Sequence, residues 1–540
     1  MKTIRNKFFV CLLLLGAIQA SCDNNLDEVV YSELTEESFT YTNAYQAMGI
    51  AYANMRGLIF HQNYYMVQET SADAIVMPAN ASGWDDGGIY RRLHEHTWNS
   101  ESMQMNNMWN TLYTGVINTN RIIDQLETGT LPPPTGISPE SLVAEARTIR
   151  AFFYWLLIDN FGDVPFIITR ADDLPGKTDR LTIFEFLVDE LTESIPALSE
   201  ETGTLYYGRF NKWAAKTLLA NLYLNAEVYS GQPMWQEAID ECNDIINSAK
   251  YALDPDLTAA FKTENSGSQE IVFAIPFDEI QADGFHIHMF SWHGSMRNKY
   301  DLLATPWGAG SAKGIPQFID TYDEDDQRLS ASWMMGPQYE RDGKTPLTGS
   351  YDQGGQPLVF TKDLPDGIYT GEAEGYRANK FEVQIGAQAS LSNDFPFFRY
   401  AQVLLIKAEC LLRLGQAPEA AALVTEVRER AFAETPAKAT VTGDGLLGNS
   451  AYQYGFVEDY EIVEAGDQAP VAFGRMLDEL GWEFAWEAHR RRDLIRFGVY
   501  TTKSWLSHKP NGAFRSVFPI PQIAINSNPE LKQHDDYLIQ

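Results

Sequence analysis

Cysteine, positive charge and long apolar runs are all scarce in this sequence. Its 540 residues include only 4 cysteines, too few for the disulfide framework of a small exported domain. Acidic residues number 73 against 41 basic ones, which gives a formal net charge of −32. Because so acidic a chain is repelled by nucleic acid and by anionic lipid, we expect no nucleic-acid partner.

Motifs for catalysis and for cofactors are also missing. The sequence has no G-x-S-x-G, and GAGSAKG at 308–314 fits neither phosphate-loop spacing. The histidine groupings offer no third ligand at a fixed spacing, and the acidic run 323–326 lacks the spacing of a calcium loop. The histidine groupings are His94 and His96, and His286, His288 and His293. We therefore predict no cofactor, no metal site and no catalytic residue.

The N-terminus has the pattern of an export signal. Three basic residues precede an apolar stretch from Phe8 to Ile18, which is too short to span a bilayer. Ala20, Ser21 and Cys22 follow and resemble a lipoprotein cleavage site, although Gln19 replaces the usual leucine. We predict a signal peptide at 1–21 and a lipid on the Cys22 thiol. Residues 22–40, which begin with acidic DNNLDE after the cysteine, are predicted to form a tether.

Helical periodicity dominates the rest of the chain. Apolar residues recur at helical spacing over about 101–252 and 396–500, in consecutive stretches that suggest antiparallel pairs. These pairs resemble tetratricopeptide repeats without a clean 34-residue period. Segments of about 61–100 and 253–395 are broken by Gly, Pro and Asn and are predicted to be irregular. We expect a single mainly α domain over 41–540.

The segment ELGWEFAWEAHRRRDLIRFG at 479–498 contains four arginines. In a helix beginning near residue 470, Glu487 lies three and four residues before Arg490 and Arg491, a favourable spacing for ion pairs. An apolar stripe shares this helix and comprises Phe473, Leu477, Leu480, Phe484 and Ala488. The pattern predicts a packed amphipathic helix whose arginines pair with acids and do not form a binding site for a polyanion.

Large aromatic rings are concentrated in the two irregular segments, outside any helical stripe. They are Trp84, Tyr90, Trp98, Phe285, Trp292, Tyr300 and Trp307. A flat ring can cover the C–H face of a pyranose while nearby polar groups bond its hydroxyls. Packing within the loops explains any single ring equally well, but the group favours a ligand surface.

Five segments, taken in order, resemble motifs of the SusD (RagB/SusD) family. They are EARTIRAFFYWLLIDNFGDVPF at 145–166, GRFNKWAAKTLLANLYLNAEVYSG at 208–231, FPFFRYAQVLLIKAECLLRLG at 395–415, the arginine segment at 479–498, and FPIPQIAINSNPELKQHDDY at 518–537. The resemblance implies four tetratricopeptide-like helix pairs carrying a glycan site on irregular segments. It also implies an outer-membrane lipoprotein facing outside, with a SusC-like TonB-dependent transporter as its partner and no catalysis.

The same resemblance places Trp84 and Trp307 near the family's sugar-binding rings. We expect Trp84, Tyr90, Trp292 and Trp307 to be ring platforms for an oligosaccharide, with Asp86 and Arg297 bonding its hydroxyls. Two alternatives stay open at this point. One is the same role for a non-glycan nutrient such as peptides, and the other is a secreted glycosidase that uses two unassigned carboxylates.

Overall fold

The computed structural model describes residues 44–169 and 174–538. The predicted leader, the Cys22 lipid site and the tether at 22–40 lie outside these ranges. Within them the protein is mainly helical, which confirms the predicted fold class. No helix in the described ranges combines the length and the apolar character needed to cross a bilayer.

Eleven helices of seven or more residues account for most of the described secondary structure. They are α1 (Ala44–Met55), α2 (Tyr64–Thr70), α4 (Met103–Glu127), α5 (Pro139–Phe161), α6 (Arg180–Ser194), α7 (Lys212–Leu224), α9 (Trp235–Ser248), α14 (Tyr400–Arg413), α15 (Ala417–Glu429) and α17 (Gly474–Phe484), with α18 (Arg490–Arg496) closing the series after them. The shorter helices are α3 (Ile89–His94), α8 (Ala226–Ser230), α10 (Ile287–Ser291), α11 (Met296–Tyr300), α12 (Pro316–Ile319), α13 (Gln327–Ser332), α16 (Gly443–Leu446) and α19 (Gln522–Ser527).

The strands are short and form small separate sheets. They are β1 (Ile75–Val76), β2 (Ala79–Asn80), β3 (Val164–Pro165), β4 (Lys177–Thr178), β5 (Ile271–Ile275), β6 (Lys313–Gly314), β7 (Trp333–Met334), β8 (Gly336–Pro337), β9 (Val359–Phe360), β10 (Tyr369–Thr370), β11 (Arg377–Ala378), β12 (Phe395–Arg399), β13 (Gly455–Glu458), β14 (Glu461–Glu464) and β15 (Trp505–Leu506). The longest pair, β5 with β12, is antiparallel and buried. Strand β1 pairs with β6, and β2 pairs with β10, so both link the first irregular segment to the second.

Three of the long helices, α5, α6 and α7, begin at residues whose side chains cap them. The Ser138 hydroxyl accepts the Ser141 N–H at the start of α5, and Pro139 takes the first turn. Asp179 caps α6, and Asn211 caps α7. Helix α4 packs on α5 and α5 on α6, while α7 packs on α9, α9 on α14, and α14 on α15. Sequential helices packed in this way form the tetratricopeptide-like arrangement that the periodicity predicted.

Two predicted boundaries differ from the structure. The first irregular segment, 61–100, contains the helices α2 and α3, whose short apolar runs are interrupted too soon for a periodic signal. The predicted single helix after residue 470 is broken into α17 and α18 by residues 485–489. Within this break Trp486 and Ala488 have φ values of 67° and 62°, which no helix accommodates.

The four arginines of α18 are buried, and three of them (Arg490, Arg491 and Arg496) make ion pairs as predicted, but their partners are not the expected ones. Arg490 makes a bidentate ion pair with Asp73, at 2.6 and 2.9 Å. Arg496 pairs with Glu409, again with two hydrogen bonds, both of 2.7 Å. Glu487 binds Arg399 and Lys380, and does not pair with Arg490 or Arg491, because the helix break turns its side chain away from them.

Candidate ligand-binding site

Trp84 lies in a tight turn between β2 and α3. The Asn80 N–H donates to the Trp84 carbonyl at 3.1 Å, and the Gly83 N–H donates to the Asn80 carbonyl at 2.8 Å. The buried Asn80 side chain accepts from the Ser82 hydroxyl at 2.7 Å. Its amide nitrogen donates to the Ser311 hydroxyl at 3.0 Å. One buried asparagine therefore fixes the Trp84 turn and ties it to the second irregular segment.

Trp307 lies on a second turn, between α11 and β6. Its N–H donates to the Met289 carbonyl at 2.7 Å, and its side chain is 41% exposed. Gly308 and Gly310 follow with φ values of 64° and 75°. A Cβ on Gly310 would lie 2.4 Å from the Ser291 carbonyl, and a Cβ on Gly308 would lie 2.6 Å from the Ser82 hydroxyl. The glycines of GAGSAKG thus permit a close approach of two loops, for which only glycine has room.

The two turns meet around a group of rings that we call the aromatic face. It comprises Phe60, His61, Trp84, His286 and Trp307, none of which is fully buried. Ring centroids of His61 and His286 lie 5.0 and 6.1 Å from that of Trp307. Phe60 lies 4.3 Å from His61 and 5.8 Å from His286.

Trp84 joins this face through Tyr90. The rings of Trp84 and Tyr90 are 5.8 Å apart, and the Tyr90 hydroxyl donates to the His61 carbonyl at 3.1 Å. Segments near residues 60, 84, 286 and 307 therefore converge, although up to about 250 positions separate them in the chain.

The histidines of the aromatic face are neutral at pH 7. Burial, and to a smaller degree His286, lowers the pKa of His61 to about 4. Burial also lowers the pKa of His286, although Asp283 opposes this shift. Neutral imidazoles beside a tryptophan leave the face uncharged, so it suits an uncharged, partly apolar ligand better than an anion.

The two predicted hydroxyl partners lie at the edges of this region. Asp86 is half-buried and accepts a long hydrogen bond, 3.4 Å, from the Gln62 amide. Arg297 is exposed, and its guanidinium donates to the Leu302 carbonyl at 3.1 Å and to the Thr305 hydroxyl at 3.4 Å. Arg297 therefore lies against the segment that leads into Trp307, and Asp86 lies two residues after Trp84.

Tyr90 and Trp292, predicted as ring platforms, are placed in the core. Tyr90 is 0% exposed and Trp292 is 2% exposed. The Trp292 indole N–H donates to the Ala378 carbonyl at 2.7 Å, and its ring packs on Tyr300 at 4.7 Å. As packed here, neither ring has a face that a ligand could reach. The prediction fails for these two rings because loops that are rich in large rings bury some of them, and the buried rings hold the others in place.

Trp98 and Phe285 are also buried in the core, since each is 1% exposed.

In the described ranges no group of three or more His, Cys, Asp or Glu side chains is arranged to hold a metal ion. The acidic run is used structurally, with Asp326 paired to Arg328 and both Asp323 and Asp325 paired to Lys438.

Sequence reasoning missed Phe60 and His61 altogether and weighed His286 only as a metal ligand. The His286–His288 spacing puts the two rings in different environments, since His288 is buried and contacts the Gln388 carbonyl at 3.0 Å. The only signal for Phe60 and His61 was their place at the start of an aromatic-rich segment.

Comparisons with known proteins agree on one family. A family model described as the SusD family matches residues 247–537, and one described as starch-binding and associating with the outer membrane matches 24–224. The starch-binding protein SusD of Bacteroides thetaiotaomicron is 24% identical over 99% of both chains.

Among solved structures, surface glycan-binding protein A from Bacteroides thetaiotaomicron is 19% identical. The match covers 91% of this chain and 98% of that one, with a TM-score of 0.68. A laminarin-binding SusD-like protein, also 19% identical, covers 92% and 100% with a TM-score of 0.67. With one family model spanning more than half of the chain and the same fold in these neighbours, the chain belongs to the SusD family.

Proposed function

We infer that this protein binds an oligosaccharide on its aromatic face and passes it to a SusC-like TonB-dependent transporter. One observation carries the binding part of this proposal. Trp307 is a large ring, 41% exposed, that packs beside the rings of His61 and His286 from distant parts of the chain. A tryptophan left uncovered among other partly exposed rings offers an apolar surface that a ligand can cover.

The chemistry of the face fits a sugar. Trp84 and Trp307 offer apolar ring surfaces to pyranose C–H groups, and neutral His61 and His286 extend that surface. Asp86 and Arg297 lie near enough to the two turns to bond hydroxyl groups at the edge of the ligand. Relatives named for starch, for laminarin and for surface glycans support the same ligand class.

The proposal assigns no catalytic step to this chain. In it, the protein is anchored in the outer membrane by a lipid on Cys22 and faces outside, with residues 22–40 as a tether and 41–540 as the binding domain. The matching family model described as starch-binding and associating with the outer membrane supports this location. Docking on the transporter would then place the bound glycan at the entrance of the barrel.

Calorimetric titration of residues 23–540 against a panel of neutral glycans tests the proposal. Starch oligosaccharides and laminarin oligosaccharides come first, because relatives are named for these glycans. We expect one class to bind, and Trp307→Ala to weaken it about tenfold or more. Trp84→Ala should have a similar or smaller effect, since its ring is partly covered by Tyr90.

Tyr339→Ala provides a matched control, since this tyrosine is 38% exposed and lies outside the aromatic face. It should leave binding unchanged. Equal affinity in wild type and Trp307→Ala would contradict the proposed site. Turnover of the bound glycan would favour the glycosidase alternative, and binding of peptides alone would favour the other nutrient class.

A further inference from the structure

A cleft lies beside the β13–β14 hairpin, and its lining residues include none from the aromatic face. Its volume is about 370 Å³, within the range of small-molecule sites and near its lower end. Apolar walls come from Leu364, Val457 and Ile462, and polar groups come from Asp363 and Gln453. A cleft with this size and mixed lining suits a ligand of one or two sugar rings.

Tyr460, at the tip of the hairpin, supplies an aromatic ring to this cleft and is 54% exposed. Glu458 pairs with Glu461, so Asp459 and Tyr460 form a two-residue turn with φ values of 48° and 70°. Such turns normally contain Asn and Gly, because φ is positive at both positions. A tyrosine there is unfavourable for the backbone and useful only if its ring is needed at that place.

The ring of Tyr460 is held in one orientation. Its hydroxyl donates to a Glu374 carboxylate oxygen at 2.6 Å, and the other Glu374 oxygen accepts the Gly371 N–H, also at 2.6 Å. The Tyr460 N–H donates to the Pro365 carbonyl at 3.2 Å, which ties the tip to the opposite wall. A ring fixed before binding loses little side-chain freedom when a ligand covers it.

The floor of the cleft is also rigid. The Gln317 amide nitrogen donates to the Gln453 carbonyl at 2.6 Å and to the Gly455 carbonyl at 3.1 Å. Its amide oxygen accepts the Leu506 N–H at 2.7 Å. Gln317 therefore connects three segments around the cleft and leaves the side chains nearer the mouth to meet a ligand.

The charges at the cleft select against acidic ligands. Asp320, Asp363 and Glu461 line it, and Lys362 is its one basic lining residue, already paired with Asp320. Within the described ranges neither Asp363 nor Glu461 has an ion-pair partner, so both carboxylates can accept hydrogen bonds from hydroxyl groups. An uncharged, hydroxyl-rich ligand is favoured over a uronic acid or a phosphate.

We propose that this cleft is a second saccharide-binding site, which takes an uncharged mono- or disaccharide unit against the Tyr460 ring. The inference deepens the proposed function and takes the ligand class from it. A second contact point would let one longer chain, or two chain ends, be held by the same protein with greater avidity.

The test uses the double variant Trp84→Ala/Trp307→Ala, which removes the tryptophans of the aromatic face. Saturation-transfer NMR with maltose, laminaribiose and cellobiose measures the binding that remains, and glucuronic acid is the acidic comparison. We expect at least one neutral disaccharide to bind and glucuronic acid not to bind. Adding Tyr460→Ala should weaken the remaining binding about tenfold, or ~1.4 kcal/mol.

Two further variants separate ring loss from general damage. Tyr460→Phe keeps the ring without the Glu374 hydrogen bond and should retain most of the binding. Tyr369→Ala removes a tyrosine that is 52% exposed and does not line the cleft, and it should change nothing. No disaccharide binding to the double variant, or binding that Tyr460→Ala leaves intact, would overturn the second site.

The same titrations distinguish this failure from failure of the aromatic face. If wild type loses affinity with Trp307→Ala while the double variant binds nothing, the aromatic face stands and the cleft does not. If Trp307→Ala is neutral and Tyr460→Ala alone weakens binding, the cleft stands and the proposed primary site fails.

Discussion

The core of this protein contains a network of charges, whereas its candidate binding face consists of uncharged rings. Arg399 is 2% exposed and contacts Glu270, Glu483 and Glu487 at 2.6–2.8 Å. Trp307 is 41% exposed and packs beside the rings of His61 and His286. The usual placement of charged and aromatic residues is reversed in both regions. The contrast shows that partners decide the location of a side chain: the arginine is buried because three carboxylates compensate it, and the tryptophan remains exposed where no protein group covers it.

The largest expected effect comes from removing the centre of the charged network. Arg399→Ala would remove a buried cation that contacts all three carboxylates, and we expect about 3–5 kcal/mol loss in the free energy of unfolding. Urea unfolding followed by circular dichroism measures this loss. Arg341→Ala is the matched control, because Arg341 is 61% exposed on its side chain and pairs with Asp301 at the surface. Its effect should stay within about 0.5 kcal/mol, and a similar loss in both variants would remove the distinction between buried and exposed arginines.

Trp292 and Trp307 allow a buried and an exposed side chain of the same residue type to be compared. Trp292→Ala should cost about 3 kcal/mol or more in unfolding free energy, because it empties a closed site and breaks the bond to the Ala378 carbonyl. Trp307→Ala should cost well under that amount, about 1 kcal/mol, while removing most glycan binding. Thermal unfolding and calorimetry on the same two proteins measure both quantities. Equal destabilisation by the two substitutions would mean that Trp307 is a core residue and not a platform.

The helical half of the fold could be predicted from the sequence because its signals are local. Helix α5 shows this well: Ser138 and Pro139 mark its start, and apolar residues such as Leu142 and Phe153 repeat at helical spacing. Ion pairing of the α18 arginines followed from the excess of acids. The identity of their partners did not, because Asp73 and Glu409 are distant in sequence from Arg490 and Arg496.

The candidate site was predicted only in outline. Trp84 and Trp307 were identified by a family resemblance, and the exposure of each ring depends on which neighbours close over it. Tyr90 is as good a candidate as Trp84 by composition, yet its hydroxyl reaches the His61 carbonyl and its ring is covered. His61 and His286 could not be assigned to the face, because only the folded loops bring them beside Trp307.

Buried histidines give the next largest expected effect. They differ from both the buried arginines and the exposed tryptophans, because they are polar groups that lie in the core without a charge. His96 and His508 rings lie 4.0 Å apart, and His94 lies 6.5 Å from His508. Burial lowers the pKa of His94 to about 3 and lowers the pKa of both His96 and His508. Arg491 and Arg515 near His96 act in the same direction. The unfolded chain therefore binds more protons below pH 6.5, and stability is lost as pH falls through that value.

Replacing one of these histidines should flatten the pH dependence. His508→Leu should reduce the slope of unfolding free energy between pH 6.5 and 5 by up to ~1.4 kcal/mol per pH unit. The measured quantity is the difference between variant and wild type, because burial raises the pKa of Glu69 to about 8 and gives an opposite slope in both proteins. Identical slopes in the two proteins would show that His508 is protonated in the folded state.

The last prediction concerns Gly308, which lies against Ser82 of the Trp84 turn. Gly308→Ala should cost about 1–2 kcal/mol, because φ is 64° and the new Cβ would lie 2.6 Å from the Ser82 hydroxyl. Gly343→Ala has a similar φ of 67° with no atom within 4 Å of the new Cβ, so it isolates the backbone part of this cost.

Glycan titration then separates the two variants, since only Gly308→Ala pushes the Trp84 and Trp307 turns apart and should weaken binding. Adding Ser82→Gly should restore much of that affinity by removing the clash. If Gly308→Ala binds as well as Gly343→Ala, the two tryptophans act independently, and the aromatic face would be two separate exposed rings and not one surface.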